Sequence, residues 1–112
     1  MPELREGAVD RQLDAYNARD ADAFSACYAL GVVVEGADGT VTMRGRDELR
    51  DAYHSFFAAN PDLHAEVVTQ IRIGRHVIDE ELLTGRPAGD LRAVAIYRLD
   101  DEGLIDHVRF LV

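Results

Sequence analysis

The sequence predicts an α+β domain, with three N-terminal helices packed on a strongly curved, mainly antiparallel sheet. Two observations predict it. Apolar residues recur at spacings of three and four through the first half, whereas in the second half they alternate singly between turn-forming strings. The chain has 112 residues, 47% of them hydrophobic and 29% charged. That is the size of one domain, 1–112, with enough apolar surface to offset the entropy of ordering.

The first helix is read from Glu3 to Ala18, where Leu4, Ala8, Val9, Leu13 and Tyr16 form one stripe. Asp20 is placed to cap a second helix from Ala21 to Tyr28, and Phe24, Cys27 and Tyr28 turn inward. Gly31 then interrupts. Val32-Val33-Val34 and Thr40-Val41-Thr42-Met43 read as short strands joined at Asp38-Gly39, a strong hairpin signal. The third helix starts after Gly45 with Asp47 and Glu48 in its first turn, presents Leu49, Ala52, Tyr53, Phe56 and Phe57, and stops at Asn60-Pro61. Gly74-Arg75, Pro87-Ala88-Gly89 and Asp101-Glu102-Gly103 divide the remainder into a four-stranded meander.

Alternation sorts the meander into two faces. Leu63, Ala65, Val67, Thr69, Ile71 and Ile73, then Ile78, Glu80, Leu82 and Thr84, then Ala93, Ala95 and Tyr97, then Val108, Phe110 and Val112 form the face expected under the helices. Its small alanines leave room for a cavity. The opposite face carries Val68, Leu83, Val94, Ile96 and Leu111 among charges, with Asp79 and Glu81 on it as well. A homodimer interface is expected there, since the pattern is too apolar for a free surface.

Twelve basic against twenty-one acidic residues give a formal charge of -9, which disfavours phosphate backbones and anionic lipid. No nucleic-acid or membrane partner is expected. All twelve basic residues are arginines, so chemistry that needs a lysine amine is excluded. Cys27 is the sole cysteine and cannot form an intrachain disulfide, and Met1 to Glu6 lacks the pattern of an export signal. A cytoplasmic location is the expectation.

Several strings resemble the nuclear transport factor 2-like superfamily, which includes ketosteroid isomerases and SnoaL-like polyketide cyclases. They are Asp14-Ala15-Tyr16-Asn17-Ala18-Arg19-Asp20 with Asp22, Val32-Val33-Val34-Glu35, Gly45-Arg46-Asp47, the stretch from Phe56 to Leu63, Thr84-Gly85 and Gly103-Leu104-Ile105. The resemblance covers almost the whole chain. It implies a cone-shaped, cystatin-like roll with a pocket at its open end and dimers through the outer sheet face. It also implies that the catalytic Asp, Tyr and protonated Asp of the ketosteroid isomerases are replaced here by Gly36, Gln12 and Ala95. Steroid isomerisation by that mechanism is therefore not expected, since loss of one oxyanion donor alone costs about 10²–10³ in rate.

The catalytic candidates are Glu80, the lone charge on the inward face, and Tyr97 as its hydroxyl partner. Asp79-Glu80-Glu81 are consecutive, so at least one of the three must point inward whatever the register. A carboxyl in an apolar cavity has a raised pKa suited to acid–base work. The ligand pocket is expected to be lined by Tyr16, Tyr28, Tyr53, Phe57, Ile78, Leu82, Ala95, Val108 and Phe110. No metal and no cofactor are expected: His64 and Glu66 share a face but lack a third ligand. Two functions stay open. One is a small-molecule pocket protein acting on an apolar ligand as an isomerase or lyase. The other is a non-catalytic dimeric ligand-binding or interaction domain.

Overall fold

In a computed structural model of the chain, residues 7–112 are described. The first turn expected from Glu3 to Glu6 lies outside them. Helix α1 runs Ala8–Asn17 and α2 runs Ala21–Ser25. Strands β1 (Tyr28–Glu35) and β2 (Val41–Arg44) precede helix α3 (Arg46–Ala59). Then follow β3 (His64–Ile73), β4 (His76–Thr84), β5 (Leu91–Leu99) and β6 (Ile105–Leu111). The six strands form one curved, unclosed sheet in the order β2-β1-β6-β5-β4-β3. The β1–β6 pair is parallel and the other four described pairs are antiparallel, so the sheet is mixed and the roll is the expected α+β cone.

Helix α2 is shorter than the sequence predicts, because sheet pairing captures its last residues. The Cys27 carbonyl accepts from the Ile105 amide at 3.1 Å, and Tyr28 pairs with Ile105 as the first residue of β1. Gly31 does not interrupt the strand but sits inside it, where the β1–β6 register shifts. The two helices are pinned to the sheet at the corner between them. The Asn17 side-chain amide donates to the Ala65 carbonyl at 3.0 Å and accepts from its amide at 2.7 Å. Arg19, at a left-handed φ of 54°, donates to the Leu63 carbonyl at 2.8 Å. Asp20 caps α2 through the Ala23 amide at 3.0 Å.

The core lies between helices and sheet. Phe24 is its hub, with ring centroids 4.5 Å from Tyr53, 5.0 Å from Tyr28 and 5.8 Å from Phe57. Val32, Val34, Ala95, Tyr97 and Val108 close it from the sheet side, as alternation predicts for β5 and β6.

The faces of β3 and β4 need correction. Paired residues in a ladder share a face, and Val77 pairs with Tyr97, Asp79 with Ala95 and Glu81 with Ala93. Val77, Asp79 and Glu81 are therefore the inward residues, all buried, and Leu83 follows them. Ile78, Glu80 and Leu82 point outward, one position out of phase with the expectation. The apolar count favours the Ile78–Leu82 phase, but the space opposite Ala93 and Ala95 accepts the larger Glu81 and Asp79. On β3, Ala65 and Val67 do face inward, and a bulge between Val67 and Thr69 then inverts the strand. Beyond it Thr69, Ile71 and Ile73 face out, while Gln70 and Arg72 face in.

Candidate functional site

A cavity of about 180 Å³ lies between α1, α3 and the concave side of the sheet. Helix α1 contributes Gln12, Leu13 and Tyr16, helix α3 contributes Tyr53 and Phe56, and the sheet contributes Tyr28, Ala65, Glu81, Leu83, Ala93, Tyr97 and Phe110. Half of its lining residues are aromatic. Glu81 is the lining acid, only 6% exposed.

Four polar side chains form one chain of hydrogen bonds along the floor. The Tyr97 hydroxyl donates to Glu81 Oε2 at 3.4 Å and accepts from Gln12 Nε2 at 3.2 Å. Gln12 Nε2 also donates to the Val9 carbonyl at 3.0 Å, which fixes the amide, and Gln12 Oε1 accepts from the Tyr28 hydroxyl at 3.1 Å. Each donor has an acceptor, and the chain ends on the carboxylate. Burial pushes the Glu81 carboxyl up to about 7, and the neighbouring Asp79 charge pushes in the same direction against the Tyr97 hydrogen bond. Burial likewise holds the Tyr28 and Tyr97 hydroxyls well above the usual tyrosine range, with the Glu81 charge adding to it. Tyr16 and Tyr53 are raised for the same first reason, and among the described residues their hydroxyls have no hydrogen-bond partner.

A second acid lies next to the cavity. Asp79 is 1% exposed; its Oδ1 accepts from Gln70 Nε2 at 2.8 Å and its Oδ2 is buried without a partner. Arg72 donates to Gln70 Oε1 at 3.0 Å and to Asp10 Oδ2 at 3.0 Å, tying α1 to β3. Desolvation raises the Asp79 carboxyl, and Asp10 adds to this against the Gln70 bond and Arg72.

Of the residues expected at the pocket, Tyr16, Tyr28, Tyr53, Tyr97 and Phe110 line it. Phe57 is buried behind them, its ring edge-on to Tyr16 at 5.3 Å, and Ala95 and Val108 are on the inward face but in the packed core. Ile78 and Leu82 are not pocket residues, because β4 turns them to the outer face. Glu80 goes with them and pairs with Arg92 at 3.4 Å. The carboxylate of the cavity is its neighbour Glu81. Gln12 is the residue that sequence reasoning missed: its partners Tyr97 and Tyr28 are 85 and 16 residues away, and no local spacing signals them. Among the described residues, no group of three or more His, Cys, Asp or Glu is arranged to hold a metal ion, and no helix is long and apolar enough to cross a membrane.

The described residues thus form an unclosed cone of helices and curved sheet around an aromatic cavity that ends on a hydrogen-bonded carboxyl. The SnoaL-like domain family matches residues 9–108, and the chain belongs to that family. No curated protein matches it. Among solved structures it is similar to a cystatin-fold protein from Novosphingobium aromaticivorans, with a TM-score of 0.87 at 23% identity over 94% of this chain and 95% of that one. A SnoaL-like protein from Burkholderia thailandensis has a TM-score of 0.76 at 19% identity, covering 89% of this chain and 86% of its own. A protein with a ketosteroid isomerase-like fold from Catenulispora acidiphila, in complex with trimethylamine, has a TM-score of 0.76 at 18% identity, covering 92% and 82%.

Proposed function

We propose that the protein binds a small, largely apolar molecule in the cone and exchanges a proton with it through Glu81, an acid–base site of isomerase or lyase type. The observation that carries this is a buried carboxyl, hydrogen-bonded by Tyr97, inside an aromatic cavity, where burial raises it to about 7. Tyr97 acts as a positioning residue, since its hydroxyl is committed to Glu81 and Gln12. Among the described residues the hydroxyls of Tyr16 and Tyr53 have no hydrogen-bond partner, which leaves them to bond the ligand. The trimethylamine complex of the Catenulispora protein supports a small-molecule occupant. A cytoplasmic location belongs to the same reading and rests on the lone Cys27.

The second reading, a non-catalytic ligand-binding domain, is favoured by Gly36 and Ala95, which put no acid where the ketosteroid isomerases resembled here carry theirs. Native mass spectrometry of the purified protein, followed by incubation of any released molecule with fresh protein, separates the two. Conversion abolished by Glu81→Gln while binding persists supports the enzyme. Binding without conversion by the wild type supports the carrier, and a cavity that holds nothing refutes both.

Either function is compatible with a homodimer through the outer sheet face. Ile71, Ile78 and Ile96 pair across three strands there, flanked by Val94 and Leu111. The expected outward Leu83 is replaced by Leu82. Light scattering should report twice the chain mass, and Ile96→Glu should halve it by placing a charge in the stripe. A monomeric wild type at micromolar concentration would refute the interface.

A further inference from the structure

The walls of the cavity carry an acid and no base. Among the described residues that line it, Glu81 is the one ionisable acid and there is no arginine or histidine. An anionic ligand would meet no counter-charge there. It would also meet Asp79 behind the floor and a protein of formal charge -9 outside it. Anions are thereby disfavoured, although Arg86, outside the lining, acts on the wall residue Tyr16. A neutral ligand brings no charge to offset that of the buried Glu81 carboxylate. A cation supplies the missing partner. Aromatic rings on the remaining walls attract a cation through their negative faces, more strongly where the site is desolvated. The hydroxyl oxygens of Tyr16 and Tyr53, without a hydrogen-bond partner among the described residues, can accept from an N–H group. A cavity of about 180 Å³ limits the occupant to a small molecule.

We propose that the ligand is a small organic cation, an amine or quaternary ammonium with apolar substituents, seated between Glu81 and the tyrosine rings. This rests on the reading of the Glu81 cavity as the ligand site, and it fixes the chemical class of what enters. For a protonated amine, the nitrogen and the carboxylate are the two ends of the proton exchange; a quaternary ion uses the charge alone. The groups that act on Glu81 are Asp79 on its own strand and Tyr97 on β5, with Tyr28, Tyr53 and Tyr16 feeling its charge from β1, α3 and α1. Arg86, after β4, acts on Tyr16, and Arg72 with Asp10 acts on Asp79.

Three molecules of one shape but different charge test it: choline, 3,3-dimethylbutan-1-ol and 3,3-dimethylbutanoate. They are titrated at pH 8 while Glu81 and the tyrosine rings are followed by NMR. Choline should bind about tenfold or more tighter than the alcohol, as an added 1.4 kcal/mol requires, and the carboxylate should not bind. The preference should shrink at pH 6, where Glu81 takes up its proton. It should shrink by a similar amount in Glu81→Gln, with the alcohol's affinity kept. Alcohol binding equal to or tighter than choline overturns the cation while leaving the pocket reading intact. So does silence toward choline in a protein whose cavity signals respond to a neutral ketone such as cyclohexanone. If no probe moves any cavity signal, the pocket reading fails together with the inference.

Discussion

Glu81→Gln should make the protein more stable above pH 7 and remove the main acid-to-neutral slope of its stability profile. Glu81 has its proton held to about 7 in the folded protein, against about 4.3 in an unfolded chain. Below about pH 4 both states are protonated and the group's preference for the fold is fully present. Between the two midpoints the native state keeps a proton that the unfolded state has released, so stability falls as pH rises. Above 7 the loss is complete, and at 1.36 kcal/mol for each tenfold change it amounts to on the order of 4 kcal/mol. Glutamine preserves the shape and an acceptor for Tyr97 while removing the charge. Urea denaturation at pH 5 and pH 8.5 measures the effect as the difference between wild type and variant. Asp79, raised for the same reason, leaves a residual slope of the same sign in the variant. Glu35, lowered by its hydrogen bonds from Arg109 and His107, contributes with the opposite sign, losing stability as pH falls. Identical slopes for wild type and Glu81→Gln would show that the group is ordinarily solvated.

Gly85→Ala should be the most disruptive single methyl that can be added. Gly85 has φ of 77° at the end of β4, in the left-handed region that side chains rarely adopt. Its missing Cβ would lie 1.8 Å from the Asp62 carbonyl oxygen and 2.5 Å from its carbon. Neither obstacle is a flexible side chain: Asp62 is backbone in the turn after Asn60-Pro61. The chain must move apart where β4 passes the start of β3, beside the fully buried Leu63. Strain at φ and displacement of packed backbone together cost about 3 kcal/mol or more. Gly31→Ala is the control, because nothing lies within 4 Å of its Cβ position. Denaturation midpoints for the two variants should differ widely; a loss below about 1 kcal/mol at Gly85 would contradict the packing described here.

Local chemistry made most of the fold legible. Asp38-Gly39, Gly74-Arg75 and Asp101-Glu102-Gly103 close the hairpins, and Asn60-Pro61 ends α3, because turn residues act over a few positions. The faces of β5 and β6 follow from alternation, since Ala93, Ala95, Tyr97, Val108 and Phe110 give one consistent phase. Strand β4 does not, because both of its phases are mixed. Counting apolar residues selects Ile78, Glu80 and Leu82 for the core. The fold instead places them on an outer stripe with Ile71 and Ile96 and buries Asp79 and Glu81. What decides the phase is pairing with alanines on another strand, a relation between residues about fifteen apart. The bulge in β3 hides a second inversion. The consecutive acids from Asp79 to Glu81 still carried the useful signal that one of them turns inward. The support around Glu81 was not legible, because Gln12 meets Tyr97 only once α1 lies across the sheet.

The cavity ends on Glu81, and burial holds the proton of its carboxyl to about 7. Carbon-detected NMR titration of the glutamate side chains tests this in the native protein. A carboxyl transition with a midpoint near 7 is expected, retained in Glu80→Gln and absent in Glu81→Gln. A Glu81 midpoint near 4.3, or a transition near 7 that disappears with Glu80 instead, would contradict it.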